Sequence, residues 1–346
     1  MQFGVTDHVD ASGIPPADQF EQRLRLVVLY ERLGFARYML TEHHGTPLCL
    51  VPSPHLFLAA ASQRTTRIRL GTLVTLLPLY NPLRVIEEVG MLDQLTQGRL
   101  ELGIGRGVSP PEISTYSIDP AETMEMFEEA YAILVKGLTS DRLSHQGRFH
   151  TIKDVLMVLP TVQRPRPPLW YGVGSVERAE WAARNGINLI ALRPPQAVRA
   201  FTDRFLEAWE ETGRPIRQRP LRAVNRPLVI AESGAEARRI AAEAHVGFHH
   251  SLMLLWNHAG ISPPTHFPPT FELWQKAGGA FAGTPAQARE FVAEQIDVAG
   301  LDTMNFHLAF GNLSFDHARQ TAELFAAEVM PAFGEPDATA DAPPQS

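Results

Sequence analysis

The chain has 346 residues, 45% hydrophobic and 20% charged, enough to bury one large core or two ordinary ones. A formal charge of -7 and an isoelectric point near 6.0, with no basic run, argue against nucleic acid or an anionic membrane as partner. Cys49 is the single cysteine, so an internal disulfide and a CxxC metal site are excluded, and neither a signal peptide nor a membrane-length apolar run is legible, so a soluble cytoplasmic protein is expected.

Phe3–Thr6 reads as a first strand, followed by a Pro- and Gly-bearing loop and a helix from about Asp18 to Leu33 with Phe20, Leu24, Val27 and Tyr30 inward. The next strand, Phe35–Thr41, runs into Glu42-His43-His44, and Ser53-Pro54 opens a helix to Ser62. The stretch 70–107 then organises the chain. An apolar run gives way to Asn81-Pro82, a cap followed by proline where its missing N–H costs nothing, and Val85, Val89 and Leu92 form one stripe of a helix stopped at Gly98. Leu100–Ile104 follows at once, so this is a βαβ unit with parallel strands ending on the same rim. A long loop, VSPPEISTYSIDP, leads to a helix capped by Asp119-Pro120, and a small hairpin is expected around Gln146-Gly147.

The second half repeats the alternation, with strands at Leu169–Val173, Asn188–Leu192, Ala223–Ala231 and Thr303–Leu308. Ser233 with Glu236, and Thr284 with Gln287, read as capping boxes. From His245 to Gly279 the rhythm fails, and this aromatic, His- and Pro-rich insertion between the seventh and eighth strands is expected to be a lid or an interface. The tail 336–346 is expected to be disordered. Eight strands each followed by a helix predict a (β/α)8 barrel over residues 1–335, with a doubly wound open sheet as the alternative.

In such a barrel, chemistry belongs to the carboxyl ends of the strands. Strand alternation lets at most one of His43 and His44 point straight into the mouth, and an adjacent pair is equally at home in loop hydrogen bonding. Convergence of His43, His44, His55 and His307 on a metal is the competing reading, but no clustered acidic set on the other strand ends supports it. Gly103-Ile104-Gly105-Arg106-Gly107 is not a dinucleotide fingerprint, because VSPP follows where a helix must open. Glycines at a strand end do allow a planar ligand to approach the backbone. Arg106 is either a phosphate ligand or the partner of Glu87 or Glu88. Tyr171-Gly172-Val173-Gly174-Ser175 runs from strand to helix start, where free amides and a hydroxyl suit an anion or simply cap the helix. Cys49 reads as a buried small hydrophobe, and His249-His250 as lid or substrate wall.

The blocks GFARYMLTEHH, TTRIRLGTLVTLLPLYNPLRVIEEVGMLDQLTQGRLELGIGRG, QGRFH, PPLWYGVGS and MNFHLAFGNLS, in this order, resemble the bacterial-luciferase-like flavin-dependent monooxygenases. The resemblance implies a TIM barrel that binds reduced FMN at its C-terminal rim, with His43 beside the flavin assisting oxygen chemistry, and with Glu42 orienting a neighbour or pairing with a buried arginine. It implies that Leu73-Val74 crosses under the ring through a non-proline cis peptide, that the ring lies against Gly105, and that Arg106, Gly174, Ser175 and Arg178 hold the phosphate. Gly174 and Arg178 depart from the luciferase subunit, which has Glu and Thr there. The implied reaction is addition of O2 to the flavin C4a carbon and oxygenation of a small organic substrate, with reduced FMN delivered by a separate NAD(P)H:flavin reductase. One branch of the family uses a deazaflavin for hydride transfer, other relatives only bind flavin, and a homodimer is common.

Overall fold

The computed structural model describes residues 1–263 and 267–334. Its first half runs β1 (Gln2–Asp7), α1 (Pro16–Arg32), β2 (Arg37–Leu40), α2 (Pro54–Ser62), β3 (Arg69–Leu76), α3 (Pro82–Leu95) and β4 (Leu100–Gly105). After two helices, α4 (Pro110–Thr115) and α5 (Thr123–Thr139), comes an antiparallel hairpin, β5 (Arg142–Gln146) and β6 (Thr151–Leu156). The alternation resumes with β7 (Leu169–Gly172), α6 (Val176–Arg184), β8 (Asn188–Ala191), α7 (Pro195–Glu211), β9 (Arg222–Ile230) and α8 (Gly234–Ala259). A short α9 (Phe271–Lys276), β10 (Phe281–Gly283), α10 (Pro285–Ala299), β11 (Thr303–His307) and α11 (Phe315–Leu324) complete it.

Eight parallel strands pair in the order β9-β11-β1-β2-β3-β4-β7-β8, and β8 pairs back onto β9, so the sheet closes. The barrel is therefore the observed fold and the open sheet is excluded. β10 only extends the end of β9. Local chemistry sets the elements as expected: the Asn81 side chain accepts from the Leu83 amide at the start of α3, and Thr284 with Gln287 forms a complete capping box on α10.

The larger core fills the space between strands and helices, while Met39, Trp170, Ile190 and Ala223 pack inside the barrel. Below them the interior is plugged by charge. Glu101 accepts from Arg37 (3.2 Å), Arg69 (2.6 Å) and the Trp170 indole (2.7 Å), and Arg37 also donates to Thr303 and lies over the Trp170 ring. Burial alone would raise the Glu101 pKa, but the two guanidiniums hold it below the usual carboxylate range. This fully partnered cluster occupies the floor, so access to the interior is from the carboxyl-terminal rim.

Four local expectations need correction. The loop 108–120 contains α4, because Ser109-Pro110 starts a turn of helix that buries Glu112 and Ile113. The helix after it is capped at Glu122, while Asp119 takes the Ala121 amide just upstream. At α8 only half of the capping box forms, Ser233 accepting from the Glu236 amide. The same helix runs on through His245 to Ala259, burying Ala241, Ala244, His245, Phe248 and Ser251 at helical spacing, so the insertion proper is the segment after Gly260. Residues 264–266 within that segment, and the tail 336–346, lie outside the described residues. Among the described residues no helix is long and apolar enough to cross a membrane.

Candidate active site at the barrel mouth

The end of β2 delivers two histidines into different roles. His44 is buried, with Nε2 at 2.8 Å from Glu42 and Nδ1 at 2.7 Å from the Tyr116 hydroxyl. Glu42 accepts in addition from the Leu76 amide and the Tyr80 hydroxyl, so it ties β2 to the end of β3, and among the described residues it pairs with no arginine. His44 is thereby locked as a support.

His43 keeps 21% of its side chain exposed and turns Nδ1 to both oxygens of Glu112, at 3.1 and 3.2 Å. Glu112 also accepts from the His44 amide. Burial would push the His43 pKa down, but the Glu112 charge and hydrogen bond, with help from Glu42 and Asp10, lift it above the ordinary histidine value. Glu112 is held low by His43 against its own burial. With Nδ1 committed, the nitrogen left to act is Nε2, and near neutral pH it can give a proton.

β3 is buried along its length except at Arg69, Leu73 and Val74, and the Leu73-Val74 peptide is cis and non-proline. The β3–β4 register shifts between Thr72 and Thr75, which brings Val74 across to β4. A Cβ on Gly105 would stand 2.4 Å from Val74 Cγ2, so the missing side chain makes room for Val74.

Arg106 follows directly. It is half-buried, donates to the Thr123 hydroxyl at 3.4 Å and has no carboxylate within ion-pair distance among the described residues. The alternative partners are engaged elsewhere: Glu87 with Arg84, and Glu88 with His55 and Arg84. Arg106 lines a cleft of about 280 Å³ together with Val108, Thr123, Trp256 and Ile261. On the neighbouring strand end, Gly172 and Gly174 are exposed, and an added Cβ at either would meet open space. Ser175 caps α6 by accepting from the Arg178 amide. The Arg178 guanidinium is paired with Glu128 at 2.8 Å, so its charge is partly spent. Burial raises the Tyr171 pKa, and the nearby Arg178 and Arg106 charges act against that rise.

His43, Val74, Gly105 and Ser175 thus lie at or just beyond the carboxyl-terminal ends of four consecutive strands of the sheet, β2, β3, β4 and β7, on one rim. Among the described residues the side chains of the four histidines considered for a metal have different partners: His43 has Glu112, His44 has Glu42 and Tyr116, His55 has Glu88 and Thr75, and His307 meets His8 at 3.4 Å. Asp7, Asp10 and His307 have ligand-type atoms within 4.8 Å of one another, but Arg23 already neutralises Asp7 at 3.2 Å. Cys49 is buried and its thiol is pushed up to about 12, as suits an inert small hydrophobe.

Glu112, Tyr116 and His8 are the mouth residues that a reading of the sequence passed over, and His307 was weighed there only as a metal ligand. For Glu112 the signal was Ser109-Pro110, a helix start in what reads as loop. Phe248 of α8 stacks on Trp274 and presents its edge to His8 and His307, and Phe271 stacks on Phe310, so an aromatic wall stands over this side.

A family model described as luciferase-like monooxygenase matches residues 1–307. An uncharacterized protein, y4wF, of Sinorhizobium fredii is 36% identical over 96% of this chain and 98% of its own length. The oxygenase component of the flavin-dependent trigonelline monooxygenase of Acinetobacter baylyi is 25% identical over 97% of this chain and 96% of its own. Among solved structures, the oxygenating constituent of 3,6-diketocamphane monooxygenase of Pseudomonas putida, in complex with FMN, superposes with a TM-score of 0.78 at 22% identity, covering 96% of this chain and 98% of that one.

Proposed function

The chain belongs to the luciferase-like monooxygenases, and on that premise we propose that it is the oxygenase half of a two-component system that uses reduced FMN and O2 on a small organic substrate. The observation that carries the reading is Arg106: a half-buried cation with no carboxylate partner among the described residues, on a cleft, one strand away from a helix start whose glycines stand bare. Such a pair of features fits a phosphate dianion, the fork supplying charge and the α6 amides supplying donors. Gly174 and Ser175 would face that phosphate, and Arg178 would exchange Glu128 for it. Leu73 and Val74, the part of β3 that leaves the core, would support the flavin ring.

When bound, reduced FMN supplies the activation of O2. The chain's own residues bind and orient it, keep water out and move a proton. His43 Nε2 is the group that hands a proton to the developing oxygen centre, while Glu112 fixes its tautomer and keeps it charged enough to donate. A separate NAD(P)H:flavin reductase would deliver the reduced flavin, as the two-component organisation of the trigonelline relative suggests. Exposed Leu56, Met91 and Leu95 on the adjoining α2 and α3 favour a homodimer through that face, which light scattering of the purified protein tests.

The deciding experiment mixes the protein with reduced FMN and then O2 in a stopped-flow instrument. A long-lived absorbing species distinct from oxidised flavin supports the oxygenase. Reoxidation at the rate of free reduced FMN would contradict it, and tight binding of a deazaflavin without oxygen consumption would move the chain to hydride transfer.

A further inference from the structure

The part of β3 that would carry the flavin ring is pinned from behind. In a regular strand Thr72 and Thr75, three positions apart, face opposite sides of the sheet. Here the β3–β4 register shifts between them, so that Leu73 and Val74 together stand opposite Gly103 alone. The extra residue returns both threonines to one side, and their hydroxyls meet at 3.0 Å, a contact that only the bulged strand can make. Gly103 makes room for the bulge, since a Cβ there would collide with the Thr72 carbonyl oxygen. Leu73 packs on the other side, against the interior cluster of Met39, Trp170, Ile190 and Ala223.

Proton counting fixes the direction of the contacts behind the bulge. The Thr72 hydroxyl donates to the Gly103 carbonyl at 2.9 Å, and a carbonyl only accepts. With that proton spent, Thr75 is the donor to Thr72. Thr75 has no second proton, so His55 Nε2, at 3.3 Å, donates to it. The other ring nitrogen, Nδ1, lies 2.8 Å from Glu88 Oε2, and this hydrogen bond is the main cause that holds the Glu88 carboxyl below its ordinary range, so Glu88 is an ionised acceptor. Both nitrogens of His55 therefore donate, and the ring is the positive end of an ion pair between α2 and α3. Thr72 and Thr75 are fully buried and the His55 side chain is 11% exposed, so removing one partner leaves a buried polar atom unpaired.

We propose that His55 is a positioning residue for the flavin ring: anchored on Glu88, it holds Thr75, Thr75 holds Thr72, and the two threonines fix both ends of the Leu73-Val74 segment against which the ring would lie. His55 touches neither flavin nor substrate and acts only through this staple. The inference rests on the flavin reading for what the segment supports, while the staple itself belongs to the chain alone.

The test measures binding of riboflavin and of oxidised FMN to the full-length protein by flavin fluorescence, together with the visible circular dichroism of the bound ring. His55→Phe keeps a ring beside Thr75 and removes both donors, and Thr75→Val keeps the buried shape and removes the hydroxyl. Each is expected to alter the dichroism and to weaken both flavins by the same factor, roughly three- to tenfold, the scale of one lost hydrogen bond. The ratio of FMN to riboflavin affinity should keep its wild-type value, because the phosphate contacts are untouched. Thr75→Ser keeps the hydroxyl and should keep wild-type affinity and dichroism, and the double variant His55→Phe/Thr75→Val should bind no worse than either single one. Wild-type affinity and dichroism in folded His55→Phe or Thr75→Val would overturn the proposal, as would a loss in Thr75→Ser equal to that in Thr75→Val, or losses that add in the double variant. If Arg106→Ala loses FMN selectively while His55→Phe binds as the wild type does, the flavin reading stands and the role of His55 falls. Failure of both flavins to bind the wild type would sink the flavin reading and the proposal with it.

Discussion

Replacing Glu112 by Gln tests how the mouth sets its proton donor. Glu112 touches His43 Nδ1 with both oxygens, and the two side chains are 6% and 21% exposed, so the pair is only partly screened. At an effective dielectric constant of about 20, two opposite charges some 4 Å apart attract by roughly 4 kcal/mol, an upper limit because Gln keeps a hydrogen bond. Measured neighbours of this kind move a pKa by about one to three units, at about 1.4 kcal/mol per unit. Without the carboxylate, burial acts against only Glu42 and Asp10, so His43 should fall from above 6.5 to below it. Stability should follow. The raised His43 contributes fully below its unfolded value of 6.5 and loses that as pH climbs through its folded value, while the lowered Glu112 contributes above its unfolded value of 4.5 and loses that as pH falls through its folded value. The wild-type advantage over Glu112→Gln should therefore be greatest between about pH 4.5 and 6.5. Histidine NMR titration, with His43→Gln to assign the resonance, reads the pKa, and melting temperature against pH reads the linkage. An unchanged His43 titration in Glu112→Gln would refute the assignment of Glu112 as its partner.

Three further outcomes follow from the same geometry. Arg106→Ala should weaken FMN by roughly 10- to 100-fold and riboflavin far less, since a charge-assisted phosphate contact contributes about 1.5–3 kcal/mol; calorimetry showing equal losses would remove the phosphate assignment. His43→Ala should leave FMN affinity largely intact while lowering substrate oxidation by roughly 10²-fold or more, the usual scale for a lost general acid, and wild-type turnover in that variant would deny His43 a catalytic role. Gly105→Ala drives a methyl into Val74 and should destabilise by about 1–3 kcal/mol in urea unfolding; the double variant with Val74→Ala should recover part of that loss, and strict additivity would mean the two residues are not in contact.

The barrel was legible because its strands and helices announce themselves locally: Asn81-Pro82 caps α3, and Val85, Val89 and Leu92 form its stripe whatever surrounds them. The positions of Arg106 after a strand end and of Ser175 at a helix start were legible too, from residue type and spacing; their phosphate role is a proposal. The continuation of α8 from His245 onward was not, because its buried face mixes His245, Phe248 and Ser251, which only the aromatic wall and the neighbouring backbone make compatible with a core. Glu112 and His8 were hidden for a different reason. Their meaning lies in partners 69 and 299 positions away in the chain, His43 and His307, and nothing in the local pattern marks a residue for such a contact. Gly105 was marked by its place at a strand end, but the packing that demands a glycine there, Val74 against its backbone, comes from a neighbouring strand and left no local mark.

The most direct measurement is a crystal structure of the protein soaked with FMN. The flavin phosphate should lie between the Arg106 guanidinium and the Gly174-Ser175 start of α6, with the ring over Leu73-Val74 and within reach of His43 Nε2. Electron density for the flavin away from that rim, or a phosphate bound without Arg106, would contradict the account.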